Sequence, residues 1–180
     1  MAEPRRVVLV GFMGSGKTTV GQSLALLLGW TLVDMDARIE EEAGLPVADI
    51  FRQRGEPSFR EHETRLALAL HDRERVVVAA GGGAFATPAT REALQAGAAT
   101  VWLRCDLETI LSRVPLDGSR PLASSRETIL RLLAEREPSY RLADLTVDAS
   151  GRSPEAVAQE IADGLFAGRA AAGRGGRPNR

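Results

Sequence analysis

The order of apolar and polar positions along the chain switches repeatedly between two periods. Val7-Val8-Leu9-Val10 is an unbroken apolar run, mostly β-branched, and reads as a strand buried on both faces of a parallel sheet. From Lys17 the spacing changes. Val20, Leu24, Leu27 and Leu28 recur at helical intervals, and Gly29 supplies a stop. Residues 31–33 form a second short strand running into "DMD". Helical pieces are expected over 37–43 and 47–54, broken apart by Gly44 and Pro46, and a longer helix over 56–71. Residues 75–80 give a third strand, closed by Gly81-Gly82-Gly83. A helix over 88–96, a strand over 100–103, helices over 107–114 and 126–136, and a strand over 145–147 follow. Ser153 as a cap with Pro154 in the first turn opens a last helix to about Phe166.

Strands alternating with helices predict an α/β fold: three layers, α/β/α, around a five-stranded parallel sheet. Residues 1–166 form one domain. Within it "PLDGSRPLASS" has turn chemistry and no apolar period, so residues 114–124 are expected to be an exposed, mobile lid. The Gly/Ala/Arg-rich residues 167–180 are expected to be a disordered tail. In open parallel sheets, ligands bind beyond the carboxyl ends of the strands. That rule selects "GFMGSGKT", "DMD", "GGG" and the loop after Val147 as the places to look for chemistry.

Composition narrows the class. The chain has 180 residues, 44% hydrophobic and 26% charged, with a formal net charge of −1. Such a balance gives no bulk attraction to nucleic acid or anionic membranes. One cysteine, Cys105, excludes an intrachain disulfide, and with His62 and His71 it is too little for a closed zinc site. No apolar run reaches membrane-spanning length, and the N-terminal one is too short for a signal sequence. A cytoplasmic enzyme is expected, monomeric, acting on small molecules, with no nucleic-acid or membrane partner.

"GFMGSGKT" fits the phosphate-loop pattern G-x-x-x-x-G-K-[ST], with a strand before it and a helix after it. Its glycines let backbone amides turn inward around phosphate oxygens, and the helix adds its positive end. Gly11, Gly14, Ser15, Gly16, Lys17, Thr18 and Thr19 are therefore expected to hold ATP. Lys17 should reach the β- and γ-phosphates, and the Thr18 hydroxyl should bind Mg²⁺. Asp34 and Asp36 lie two apart, on one side if the strand continues. One could hold the metal and the other could accept or orient a hydroxyl proton. Arg60 sits near a helix start, where the macrodipole favours acids, and suits a carboxylate or phosphate fork. Gly81, Gly82 and Gly83 allow close backbone approach to a ligand. Arg120 in the lid can close over transferring phosphates, and Arg141 follows a helix that Pro138 should break.

Together, "GFMGSGKTTVG", "LVDMDARIE", "IFRQRGEPSFREHE", "VVAAGGGA", "SRPL" and "EREPSYRLAD" resemble the shikimate kinase family from Val7 to about Phe166. The resemblance implies a nucleoside-monophosphate-kinase-like fold with strand order 2-3-1-4-5. It implies transfer of the ATP γ-phosphoryl group to the 3-hydroxyl of shikimate, with Mg²⁺, on the route to chorismate and the aromatic amino acids. It makes Asp36 the hydroxyl-binding aspartate and Asp34 the acid near Mg²⁺. Arg60 and Arg141 become the grip on the shikimate carboxylate, Gly81–Gly83 the acceptor-side turn, and Arg120 the lid arginine. Lys17, Asp36 and Arg120 carry the catalysis, and Arg113 and Arg152 flank the adenine. Ser119 and Ala123 depart from the residues common in the family's lid.

Two other readings remain at this level. The phosphate loop admits another small-metabolite or nucleotide kinase, such as a gluconate kinase; "DMD" with paired arginines favours a carboxylated polyhydroxy substrate over a nucleotide. The other is a nucleotide-gated switch or binding module without phosphotransferase activity; a GTPase of the switch type would carry an N-K-x-D base-recognition element, which the sequence lacks.

Overall fold

The computed structural model describes residues 4–115, 122 and 125–172. Strand β1 (Arg6–Val10) is buried along its whole length, as a double-sided apolar run requires. Around it lie β2 (Thr31–Asp34), β3 (Val76–Ala79), β4 (Ala99–Arg104) and β5 (Leu145–Asp148). They form one sheet in the order β2-β3-β1-β4-β5. Every pairing is parallel, with Val8 beside Val78 on one side and Thr100 on the other. The central position of β1 puts the phosphate loop, which follows it, at the middle of the sheet's carboxyl edge. Because β2 is an edge strand on the far side of β3, the crossover from β1 opens a crevice there.

The strand begins one residue earlier than the apolar run, at Arg6, which is buried. Its guanidinium donates to the carbonyls of Leu70 and Ala96 and so ties down the ends of two helices behind the sheet. Those carbonyls lie at the negative ends of α3 (Val47–Ala69) and α4 (Pro88–Gln95), where a cation is favoured.

Helix α1 (Lys17–Leu28) turns Val20, Leu24 and Ala25 inward and ends on left-handed Gly29, as expected. Helix α2 (Met35–Ala43) begins directly after β2, because the Asp34 carboxylate caps it by accepting from the Ala37 amide at 3.2 Å. Asp36 therefore sits in the first turn of a helix, and the extended geometry expected for "DMD" stops at Asp34. Gly44 and Pro46 separate α2 from α3. Within α3, Gly55 breaks the helical path at φ 79° and ψ 167°, so the two expected pieces are one element with a kink. Helix α5 (Leu107–Arg113) is capped by Asp106.

Helix α6 (Arg126–Tyr140) is longer than its sequence suggests and passes through Pro138. The proline falls in the final turn, and Tyr140 beyond it is fully buried with its hydroxyl donating to the Gly82 carbonyl. That tertiary anchor outweighs the local cost of proline. Helix α7 (Pro154–Ala172) starts on the predicted Ser153 cap and continues past the expected end, with an irregular step at Phe166. Phe166 packs edge-on against Trp30 with ring centroids 5.8 Å apart. Residues 173–180 of the predicted tail lie outside the described residues. Among the described residues no helix is long and apolar enough to cross a membrane.

Candidate active site

The phosphate loop bridges β1 and α1. Gly11 has φ 143°, and a β-carbon there would lie 2.7 Å from the Leu103 carbonyl oxygen, so this corner excludes a side chain on two counts. Gly16, left-handed, leads into α1 at Lys17 and aims the first-turn amides outward. The Lys17 ammonium lies over the loop, donating to the Gly11 carbonyl at 2.9 Å and the Phe12 carbonyl at 2.8 Å. Such a cradle of amides, lysine and a helix N-terminus suits a polyphosphate.

A cleft of about 390 Å³ opens over this loop and is lined by Gly14, Ser15, Gly16, Lys17, Thr18 and Thr19. Asp34, Asp36, Arg113, Arg152 and Val157 also line it. Arg113 Nη1 donates to the Gly14 carbonyl at 3.3 Å, and Arg152 Nη1 is held by the Asp148 carbonyl and Glu160. The Thr18 hydroxyl donates to Asp34 Oδ2 at 2.5 Å. Hard oxygens converging beside a phosphate cradle fit Mg²⁺, which takes one or two protein ligands and completes its shell with phosphates and water.

A smaller recess adjoins this cleft and shares Met13, Asp36 and Gly82 with it. It is lined by the apolar Val47, Phe51 and Phe59 and by the charged Arg60, Glu63 and Arg136. Arg60 is clamped between Glu56, at 2.7 Å, and Glu63, at 2.5 Å. Burial pulls its guanidinium down, but the two glutamates outweigh burial and hold it above its ordinary value. Burial pushes the fully buried Glu63 carboxyl up to about 7; the Asp36 charge adds to this, and Arg60 and Arg136 oppose it. Arg136, also buried, lies over the Phe12 ring with 5.7 Å to its centroid. Burial raises the Tyr140 phenol to about 12, which keeps it a neutral donor to Gly82.

A family model described as shikimate kinase matches residues 13–165. The chain belongs to the shikimate kinase family. Among curated relatives, the shikimate kinase of Moorella thermoacetica is 46% identical over 166 residues, covering 91% of this chain and 96% of that protein. The enzyme of Geobacter sulfurreducens is 44% identical, covering 89% and 91%. The solved shikimate kinase of Acinetobacter baumannii, described as a complex with shikimate, superposes with a TM-score of 0.88 at 35% identity, over 93% of this chain and 96% of that one. A gluconokinase from Sinorhizobium meliloti shares the fold at a TM-score of 0.60 and 21% identity.

Within this family's scaffold, the structure gathers most of the expected residues. Gly14, Ser15, Gly16, Lys17, Thr18 and Thr19 of the loop, with Asp34, Asp36, Arg113 and Arg152, line the larger cleft, Gly11 forming the corner behind it; Asp36, Arg60, Gly82 and Gly83 line the smaller recess. Gly81 lies against both carboxylates of that recess, Glu63 and Asp36. Arg120, with most of the expected lid, lies outside the described residues.

Arg141 is a correction. It caps the end of α6, pairs with Glu137 at 2.6 Å, lies over Trp102 and lines neither recess. The expectation took Arg141 from the family resemblance and placed it behind a helix that Pro138 should break. The continuous helix instead points Arg136 into the site and Arg141 to solvent. Arg136 and Glu63 were both missed, and the same signal marks each. Arg136 shares a helical face with buried Ile129 and Tyr140, and Glu63 with Phe59, Leu66 and Ala67. A charge on the buried stripe of a helix needs a partner or a ligand.

Proposed function

We propose that the protein transfers the γ-phosphoryl group of ATP to the 3-hydroxyl of shikimate, giving shikimate 3-phosphate and ADP. The observation that carries this reading is the junction of the two recesses. A phosphate cradle and a recess with two arginines, Arg136 buried and Arg60 partly so, share one wall, and Asp36 stands on it. Arg60 and Arg136 suit the acceptor's carboxylate through paired N–H donors. The apolar wall of Phe51 and Phe59 suits the face of its ring, and Asp36 suits its hydroxyls.

Asp36 orients the 3-hydroxyl and accepts its proton as the new O–P bond forms. Lys17 and the loop amides stabilise the charge that gathers on the γ-phosphoryl oxygens and on the departing ADP as the old P–O bond breaks. Thr18 and Asp34 would hold Mg²⁺, which when bound neutralises phosphate charge. Arg120 would close over the phosphates from the lid. Arg113 and Arg152 would flank the base. The setting we propose is the cytoplasm, with the protein acting as a monomer in aromatic amino acid biosynthesis. A coupled ADP-release assay with an acceptor panel tests the reading. Shikimate should be turned over far faster than D-gluconate; turnover of gluconate with none of shikimate would refute it.

A further inference from the structure

Glu63 is a fully buried carboxylate with one oxygen engaged and one not. Oε2 takes the Arg60 pair at 2.5 Å, whereas Oε1 is buried without a hydrogen-bond partner. Oε1 and Asp36 Oδ1 both crowd the point where a β-carbon at Gly81 would sit, so a glycine there lets two acids approach one another. Each element packed around Glu63 contributes to the balance. Helix α2 brings Asp36, α6 brings Arg136 and the neutral Tyr140, and α3 brings Arg60 with Glu56 at its outer side. The triple-glycine turn brings no charge. The interior therefore holds two guanidinium groups against two carboxylates.

An anionic acceptor disturbs that balance. Resting on the reading above, its carboxylate would arrive as a third negative charge against the same two arginines, in a site where charge is poorly screened. Arginine cannot respond by changing its protonation. Asp36 is needed ionised to take the hydroxyl proton. Glu63 is the remaining group, and its partnerless oxygen gives a proton a place to go. We infer that Glu63 takes up one proton from solvent when the acceptor docks, so that acceptor binding is linked to pH through a residue that need not touch the acceptor. The proton adds to Oε1, no bond of the acceptor breaks, and the site returns to two positive and two negative charges. The free protein is already poised for this, since burial holds Glu63 near 7 and the incoming anion can only raise it further.

The experiment is titration calorimetry of shikimate into the full chain at pH 8, in buffers of different ionisation enthalpy. The dependence of heat on buffer gives the protons taken up. Uptake should approach one at pH 8 and fall towards zero at pH 5.5, where Glu63 is protonated beforehand. Affinity should weaken by up to about tenfold per pH unit above pH 7. Glu63→Gln, which mimics the protonated form, should bind shikimate with no proton uptake and a flat pH dependence. An infrared difference spectrum of the unaltered protein, free against shikimate-bound, should gain the C=O band of a protonated carboxyl, which requires no variant. Binding at pH 8 without proton uptake, or a Glu63→Gln protein that retains full uptake, would overturn the inference. Absence of any shikimate binding or turnover would instead refute the proposed function.

Discussion

Arg136→Lys is the perturbation that separates the structure from the sequence pattern most sharply. The guanidinium is buried, lies over Phe12 and lines the recess with Asp36 and Glu63. Lysine keeps the charge but loses the planar pair of donors that matches a carboxylate. Truncating one partner of a buried, hydrogen-bonded charge pair costs about 2–5 kcal/mol. Retaining the charge puts Arg136→Lys near the lower end, about 2–3 kcal/mol, which corresponds to a loss of about 30- to 150-fold in kcat/KM for shikimate. The KM for ATP should stay within about twofold, because Arg136 does not line the phosphate cleft. Arg141→Ala is the matched control. Its side chain is 67% exposed and its partner is the solvent-facing Glu137, a pairing worth about 0–1 kcal/mol of stability and nothing in the site. Steady-state kinetics with each substrate varied in turn, alongside thermal unfolding of both variants, makes the comparison. A normal KM for shikimate in Arg136→Lys together with a raised one in Arg141→Ala would refute the assignment.

Lys17→Ala should lower kcat by about 100- to 1,000-fold with less change in acceptor KM, since it removes charge from the transferring group; single-turnover transfer measures this. Gly83→Ala should raise the KM for shikimate without unfolding the protein. Its backbone is ordinary at φ −108°, but a β-carbon would lie 2.5 Å from Arg60 Nη1 and push the guanidinium aside. A variant with unaltered acceptor kinetics would show that Arg60 is not set by this turn. Glu63 should also leave a mark on stability. Its folded-state value is raised, from 4.5 to about 7, so the folded state binds the proton more tightly and stability falls as pH rises through that window. The full cost is about 3 kcal/mol above pH 7. Denaturant unfolding of Glu63→Gln and the unaltered protein at pH 4.5 and 8 should show the variant gaining by up to that amount; a constant difference would contradict it.

The strands and the phosphate loop were legible because each rests on a local cause: apolar runs and glycine at positive φ. Asp36 was placed at the right strand end but in extended geometry, because the Asp34 cap that starts α2 was not read. The acceptor side was less legible. Arg60 could be picked out because it stands beside a helix start where acids are favoured. Arg136 could not be distinguished from Arg141 while Pro138 was taken as a helix end. What carries α6 through Pro138 is the burial of Tyr140 and its bond to Gly82, a contact across 58 positions that no local pattern contains. Glu63 was readable in principle, as an acid on an apolar stripe, but its meaning depends on Asp36 and Arg136 arriving from two other helices. The kink at Gly55 was foreseen as a gap between two helices, and the backbone there bends without separating them.

The most direct test of the whole account is the product formed from shikimate and Mg-ATP by the purified protein. Phosphorus–proton correlated NMR of the reaction should show one new phosphomonoester, coupled to the proton on carbon 3, and ADP in equal amount. ATP consumed with no phosphate on shikimate, or phosphate placed on another hydroxyl, would contradict the position assigned to Asp36 between the two recesses.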